Sequence, residues 1–198
     1  MKKKILLVGL MVVLVAAVSV GLTVAFLTSQ SAVTNTFTVG DVAITLDEAK
    51  VDANGVKIEG ANRVTANTYK LIPGHSYTKD PQIHVGATSE DCYLFVKVED
   101  GLAAIEADQT IAAQLTANNW KAVSGVANVY VYAVDSDAKT IVEKGANVNV
   151  FGTFTLKGDA NTANYASAQI IVTAYAILAD GFVESTPAQI WTTAGFAN

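Results

Sequence analysis

The chain has 198 residues, of which 51% are hydrophobic and 16% charged, with 13 basic and 18 acidic side chains. This length fits one domain with a substantial core. The acidic balance excludes the basic patches that bind nucleic acid or anionic lipid, so neither is expected as a partner. Cys92 is the only cysteine, which excludes an internal disulfide and predicts a fold that depends on packing alone.

The N-terminus has the pattern of a secretory signal. Three lysines precede an apolar run over residues 5–27, and small residues stand at Thr23 and Ala25. These features predict a signal peptide over 1–25, cleaved between Ala25 and Phe26, and a product secreted to the cell surface or the extracellular matrix. The run is also long enough to span a bilayer, so an uncleaved membrane anchor is the alternative. Cleavage leaves ten basic and eighteen acidic residues, a net charge of −8 over 173 residues.

The predicted mature chain begins with an uncharged arm over 26–36, and residues 37–198 are expected to form a single domain. An arm of β-compatible residues that cleavage frees at one end can add as a strand to a sheet edge of another copy. Four of its five candidate residues share odd positions and hence one face of a strand. The candidates for this polymerisation arm are Phe26, Leu27, Val33, Phe37 and Val39.

Alternation of apolar and polar residues dominates the rest of the chain and predicts an all-β fold, an antiparallel sandwich. Strands are expected at 83–85, 92–98, 126–134, 140–143, 148–156 and 168–178. The apolar residues switch from odd to even positions at Gly40-Asp41, which predicts a β-bulge in an earlier strand. The last strand, 168–178, is apolar on nearly both faces, which is typical of a central strand.

Turns and short helices are predicted between the strands. Asn54-Gly55 is a hairpin signal, and 72–75 reads as a type II turn because Gly74 can take positive φ. Helical spacing of apolar residues over 102–120 predicts one or two short helices. A second short helical turn is expected at 187–191, with proline in its first position.

The sequence carries no recognised catalytic motif, phosphate-binding loop or cysteine pair. Its two histidines, His75 and His84, flank Asp80, but zinc needs three converging ligands, and a strand-turn segment does not by itself bring these residues together. We therefore predict no catalytic residue, no cofactor and no metal site. The histidines are expected to be solvated loop or edge residues, with metal binding as the alternative.

Other candidate residues have simple structural interpretations. Tyr130 and Tyr132 fit one face of a packed strand better than an aromatic ligand stripe. Cys92 is expected to be a small buried residue rather than a reactive thiol. Calcium would need dense alternating carboxylates in one loop, so we interpret four acidic residues as charged turns. They are Asp47, Glu48, Asp135 and Asp137.

Four segments are distinctive in their order and spacing. They are Thr23-Val24-Ala25-Phe26-Leu27-Thr28; Asn35-Thr36-Phe37-Thr38-Val39-Gly40 leading into Val42-Ala43-Ile44-Thr45-Leu46-Asp47-Glu48; Pro73-Gly74 followed by Lys79-Asp80-Pro81; and Val172-Thr173-Ala174-Tyr175-Ala176-Ile177-Leu178-Ala179-Asp180-Gly181-Phe182. Together they resemble the TasA/camelysin family of exported proteins from Gram-positive bacteria, over nearly the whole chain.

The resemblance implies removal of the signal by a SipW-type signal peptidase, a jelly-roll-like β-sandwich, and assembly into biofilm-matrix fibres. In fibre-forming relatives the mature N-terminal segment pairs as a strand with the neighbouring subunit. The expected partner is therefore a second copy of the chain, with accessory or anchoring matrix proteins as further candidates.

The expected function is thus a structural fibre subunit without enzymatic activity. A monomeric secreted or surface-held adhesion or binding module is the alternative. Camelysin-type relatives have been described as metalloproteases, but this chain has no recognisable zinc-protease motif, so that activity is less favoured.

Overall fold

A computed structural model of the protein describes residues 41–196. In this part of the chain, short strands pair antiparallel throughout, and two short α-helices accompany them. The all-β prediction is therefore confirmed for the described residues. The predicted signal peptide, the arm over 26–36, its extension to Phe37 and Val39, and the bulge at Gly40 all lie outside them. None of the described helices is long and apolar enough to cross a membrane.

Two small sheets contain five of the strands. These strands are β1 (Ile44–Asp47), β2 (Ser76–Thr78), β3 (Gln82–Val85), β7 (Asn147–Asn149) and β8 (Thr153–Thr155). The first sheet has the order β1-β3-β7, with Ile44 of β1 opposite Val85 of β3. The second sheet pairs β2 with β8, and Tyr77 stands opposite Phe154.

A four-stranded sheet contains the two longest strands. Its order is β5-β6-β4-β9, from β4 (Cys92–Asp100), β5 (Trp120–Ala122), β6 (Val129–Tyr132) and β9 (Ile170–Leu178). All nine residues of β4 face β9, from Cys92 opposite Leu178 to Asp100 opposite Ile170. The prediction that the last strand is central is therefore wrong for the described sheet. The central strand is β4, and β9 lies at the edge.

The pleat of β4 divides its side chains between two hydrophobic clusters. Leu94 and Val96 point into a larger cluster that includes Phe154, while Phe95 points into a smaller one around Trp191. All of these side chains are at most 2% exposed. Burying one such side chain stabilises the fold by about 1.5–3 kcal/mol, so β4 contributes to both clusters.

The helices begin where their caps predict. Helix α1 (Ile111–Ala117) follows Thr110, whose hydroxyl accepts a hydrogen bond from Ala113 N, and buries Ile111 and Leu115. Helix α2 (Pro187–Thr193) starts with a capping box between Thr186 and Gln189. The predictions of short helices within 102–120 and at 187–191 are confirmed. Two 3-10 turns, Ala103–Ile105 and Thr162–Tyr165, complete the described helical elements.

Several strand predictions were wrong in detail. The run 148–156 is two strands in different sheets, because the chain crosses between them at 150–152, where Val150 N bonds Pro81 O. Residues 140–143 make only one bridge, from Val142 to Cys92. The strand predicted over 126–134 shortens to β6 because Asn128 takes a φ of 60° in the preceding turn. Strands β2 and β5 were not predicted.

Both predicted turns are present. Gly74 has a φ of 77°, and His75 N donates to Ile72 O at 3.1 Å. Gly55 has a φ of 74°, and Asp52 N donates to Val56 O at 2.9 Å. The hairpin at Gly55 is short, with one bridge between Val51 and Lys57.

Candidate functional site

One side of strand β9 pairs with no other strand of the described residues. Gln169 O accepts from Gly101 N, and Ala179 N donates to Asp91 O, so odd-numbered residues turn their main-chain groups toward β4. The register of β9 on β4 runs without a break, and the even-numbered residues therefore turn their N–H and C=O groups the other way. No other strand of residues 41–196 bonds to them. We call this side of β9, carried by residues 170, 172, 174, 176 and 178, the free edge.

The sequence of β9 lacks the features that usually protect an exposed edge strand. Natural edges are kept short or carry lysine, proline, inward charges or bulges. Strand β9 is nine residues long and reads Ile-Ile-Val-Thr-Ala-Tyr-Ala-Ile-Leu, without a charge or a proline. By comparison, the edge strand β5 at the other side of the sheet has three residues and carries Lys121. The free edge is thus a long, uninterrupted template for main-chain hydrogen bonds.

The composition of β9 follows from its two packed faces. Val172, Ala174 and Ala176 pack against the larger cluster, whereas Tyr175 and Ile177 pack against the smaller one. The sequence therefore correctly indicated a strand with apolar contacts on both faces. It did not indicate that one side of the strand lacks a neighbour within the described residues.

A groove of about 630 Å³ adjoins the first part of β9. Its apolar wall contains two tyrosines and a phenylalanine, and Ile170–Val172 of β9 line it as well. Tyr69 in this wall packs edge-on to Phe154 at 5.2 Å and donates a hydrogen bond to Thr78 O. The principal apolar residues of the groove are Leu46, Tyr69, Leu71, Leu102, Phe154 and Tyr165.

The polar end of the groove contains a buried ion pair. Lys79 Nζ lies 2.7 Å from Glu48 Oε2, and their side chains are 11% and 6% exposed. Asn67 Nδ2 donates to the other oxygen of Glu48 at 2.9 Å and to Ala49 O at 2.8 Å. These contacts hold the irregular segment 48–71 against the sheets and place both charged groups beside the groove.

A second polar cluster joins the same segment to β1 and to the residue two positions before β3. Arg63 forms ion pairs with Asp47 and Asp80 and donates to the main-chain oxygen of each. Burial alone raises the pKa of Asp47, but hydrogen bonds from Arg63 and His84 outweigh it and hold that pKa below its ordinary value. Arg63 was not a predicted site residue, and its position in a polar loop carried no signal that could have identified it.

The histidines have separate environments. His84 Nε2 lies 2.9 Å from Asp47 Oδ1, and its other ring nitrogen faces Asn147 Oδ1. His75 Nε2 lies 2.8 Å from Asn54 O. Among residues 41–196, no group of three or more His, Cys, Asp or Glu side chains is arranged to hold a metal ion. The structure thus brings His84 to Asp47 but gives His75 a main-chain partner in another loop.

The remaining candidates of the sequence are structural in these surroundings. Cys92 is fully buried in β4, and burial, followed by the charge of Asp91, raises the pKa of its thiol to about 11. Tyr132 packs edge-on to Trp120 at 5.4 Å, as expected for a packed strand. The main-chain oxygens of Asp135 and Asp137 accept hydrogen bonds from Lys121, which makes these residues part of a closed turn.

No protein-family model, curated protein or solved structure matches the chain. The TasA/camelysin resemblance therefore stays a prediction.

Proposed function

We propose that the mature protein is a secreted structural subunit of extracellular matrix fibres, in which the arm of one copy pairs with the free edge of the next. One observation carries the proposal: β9 has the composition of a central strand but lies at the edge of its described sheet. A strand added at the free edge gives β9 the central position that its sequence predicts. The TasA/camelysin resemblance supports the same assignment, including a jelly-roll-like sandwich as the complete fold.

The arm over 26–36 and strand β9 have compatible lengths. Nine residues of β9 cover roughly 30 Å at about 3.3 Å per residue, and an arm of eleven residues can cover the same length. Each of the five outward residues offers one donor and one acceptor, and each main-chain hydrogen bond contributes about 0.5–1.5 kcal/mol net. The edge therefore provides substantial affinity without side-chain specificity.

Charge favours this contact over others between copies. Two mature chains with a net charge of −8 repel one another over most of their surfaces. Neither 26–36 nor 170–178 has a charged side chain, so pairing between them avoids that repulsion. An arm at one end and an acceptor edge elsewhere form a head-to-tail contact, which propagates as a filament because it does not close on itself.

The test uses a variant that blocks the free edge without breaking the contact with β4. Ala174 turns its N–H outward, and proline is tolerated in edge strands where that N–H is unpaired. We expect Ala174→Pro to remain folded and to lose filaments in electron microscopy, with Ala174→Ser as the matched control. Deleting residues 26–34 should give the same folded monomer, and intact mass should show Phe26 as the N-terminus.

Two results would contradict the proposal. Normal filaments from folded Ala174→Pro protein would show that another surface accepts the arm. If mature protein forms no filaments under any condition, the monomeric binding module becomes the better assignment. A synthetic peptide of residues 26–39 provides an independent measurement on the unaltered protein, because it should cap growing ends and shorten the fibres.

The second candidate function is a monomeric secreted or surface-held binding module, and the groove beside β9 is the observation that favours it. Its aromatic wall and buried Lys79–Glu48 pair offer apolar and polar contacts to one ligand. Neither proposal assigns a catalytic step, a cofactor or a metal to the chain.

A further inference from the structure

Two carboxyl groups lie together where β4 ends. Asp100 is the last residue of β4, is half-buried, and accepts a hydrogen bond from Leu102 N at 2.8 Å. Glu106 is only 4% exposed and follows the 3-10 turn Ala103–Ile105. One oxygen of Glu106 accepts from Ile111 N at 3.0 Å, at the first residue of α1. Glu106 is thus the side chain through which the end of β4 and the start of α1 meet.

The other oxygen of Glu106 has no donor among the described residues. Glu106 Oε1 is buried and unpartnered. The neighbouring carboxyl of Asp100 is its natural partner, but two ionised carboxylates are both acceptors and cannot bond. A single proton between them makes one group a donor and completes the hydrogen bond. The arrangement is therefore satisfied only when the pair holds a proton.

No basic side chain of residues 41–196 forms an ion pair with either carboxyl. Lys157, which follows β8, donates its ammonium to Ala104 O at 3.0 Å and makes no ion pair with either carboxyl in the described structure. Helix α1 and the adjoining end of β9 contain no charged residue. Asp108 is exposed, and the imidazole of His75, whose main chain pairs with Leu156, is bonded to Asn54 O.

The environment accordingly favours the protonated form. Burial raises the pKa of Glu106 to about 7 against the opposing hydrogen bond from Ile111 N, and the charge of Asp100 adds to the rise. Burial also raises the pKa of Asp100. In an unfolded chain the same glutamate loses its proton near pH 4.5.

We propose that Asp100 and Glu106 form a proton-operated lock that fastens segment 101–110 between the end of β4, the start of α1 and the start of β9. Gly101 N donates to Gln169 O, and Leu102 lines the groove beside β9, so opening of this segment loosens both. The lock is closed in mildly acidic solution. It opens near neutral pH, when two carboxylates, one buried and one half-buried, replace the hydrogen-bonded pair. It does not depend on the fibre assignment.

The sign of the pH effect follows from proton linkage. Because the folded state holds its proton to a higher pH than the unfolded state, stability from this group is full below about pH 4.5 and lost as pH rises to about 7. Over that interval the folding equilibrium constant falls by at most about 300-fold from this group alone. Other carboxylates, such as Asp47, act in the opposite direction, so the lock is measured by comparing variants.

Glu106→Gln isolates the effect, because a glutamine amide donates to Asp100 at every pH. The folding equilibrium constants of the variant and of wild type are measured by urea unfolding from pH 5 to 8. We expect the two constants to be equal at pH 5, and the constant of the variant to be at least tenfold larger at pH 8. Amide exchange at Leu102 and Ile111, corrected for intrinsic rates, should accelerate toward pH 8 in wild type only. The exposed neighbour Asp108 provides the control, since Asp108→Asn should leave the pH profile of wild type unchanged.

The proposal is overturned if Glu106→Gln runs parallel to wild type at all pH values, or if it is less stable at pH 8. It is equally overturned if Asp108→Asn changes the profile as much. Should the glutamine variant fail to fold, carbon NMR titration of the Glu106 carboxyl in wild-type protein decides the matter. A midpoint above about pH 6 supports the lock, and one below that value contradicts it.

Discussion

Removing Lys79 provides a direct test of how segment 48–71 is held in place. The variant Lys79→Met deletes the ammonium 2.7 Å from Glu48 and leaves a carboxylate on a side chain that is 6% exposed, to which the Asn67 amide still donates. Breaking a buried ion pair by removing one partner costs about 3–5 kcal/mol, because the remaining charge stays desolvated. For a domain of this size the melting temperature should fall by about 6–20 °C.

A double variant separates the lost charge from lost packing. Lys79→Met combined with Glu48→Gln removes both charges and keeps an acceptor for Asn67, so we expect it to recover most of the stability. Urea unfolding of the two single variants and the double variant then gives the coupling energy of the pair. The pair Lys97–Glu99, with 3.8 Å between its charged atoms and side chains that are 21% and 51% exposed, is the more solvated control. Lys97→Met should change stability by less than about 1 kcal/mol.

If Lys79→Met costs no more than Lys97→Met, the buried ion pair does not hold segment 48–71 in place. If the double variant is as unstable as the single one, packing rather than charge explains the loss.

Three further predictions concern single side chains. Gly55 and Gly60 have nearly equal positive φ angles, but an added Cβ lies 2.8 Å from Tyr77 only at Gly55, so Gly55→Ala should lose at least about 2 kcal/mol more than Gly60→Ala in urea unfolding. Tyr77→Phe should cost about 1–3 kcal/mol in thermal unfolding, since its buried hydroxyl accepts from Ile72 N at 2.6 Å. Cys92 should react with a thiol reagent only as fast as the protein unfolds, and rapid labelling of folded protein would contradict its burial.

Local patterns predicted the elements that depend on near neighbours. The apolar run 92–98 predicted the strand that became β4, and Pro187 marked the start of α2. Gly74 predicted its turn because glycine takes a positive φ without steric cost, whatever its neighbours are. In each case the cause lies within a few positions of the residue concerned.

The same patterns could not predict which strands become neighbours. An apolar run such as 148–156 shows the same two-residue alternation whether it forms one strand or two strands in different sheets. Here it forms two strands in different sheets. The edge position of β9 depends on partners elsewhere in the chain. Apolar residues on both faces of a strand show that both faces pack against other side chains, but they do not show whether both sides of the strand have hydrogen-bonded neighbours. Composition therefore identified the strand but not its place in the sheet.

The groove and the carboxyl lock could not be predicted from the sequence either, because both depend on contacts that the local pattern does not encode. The groove combines the loop around Tyr69 with Tyr165 and β9, which are about a hundred residues apart in the chain, and neither segment has a distinctive pattern. Glu106 occurs in a stretch of helical spacing where an acidic residue is normally solvated. Only the fold shows that it is buried beside Asp100.

The pairing of β4 with β9 has a consequence for the order of events during synthesis. About seventy residues separate the two strands, and pairings between such distant segments form late in folding. The β4 strand leaves the ribosome well before its longest partner exists. A nascent or truncated chain that ends before β9 therefore lacks the free edge, but the side of β4 that later pairs with β9 stays exposed instead. The late pairing of β9 closes this open side of β4 and creates the free edge in the same step.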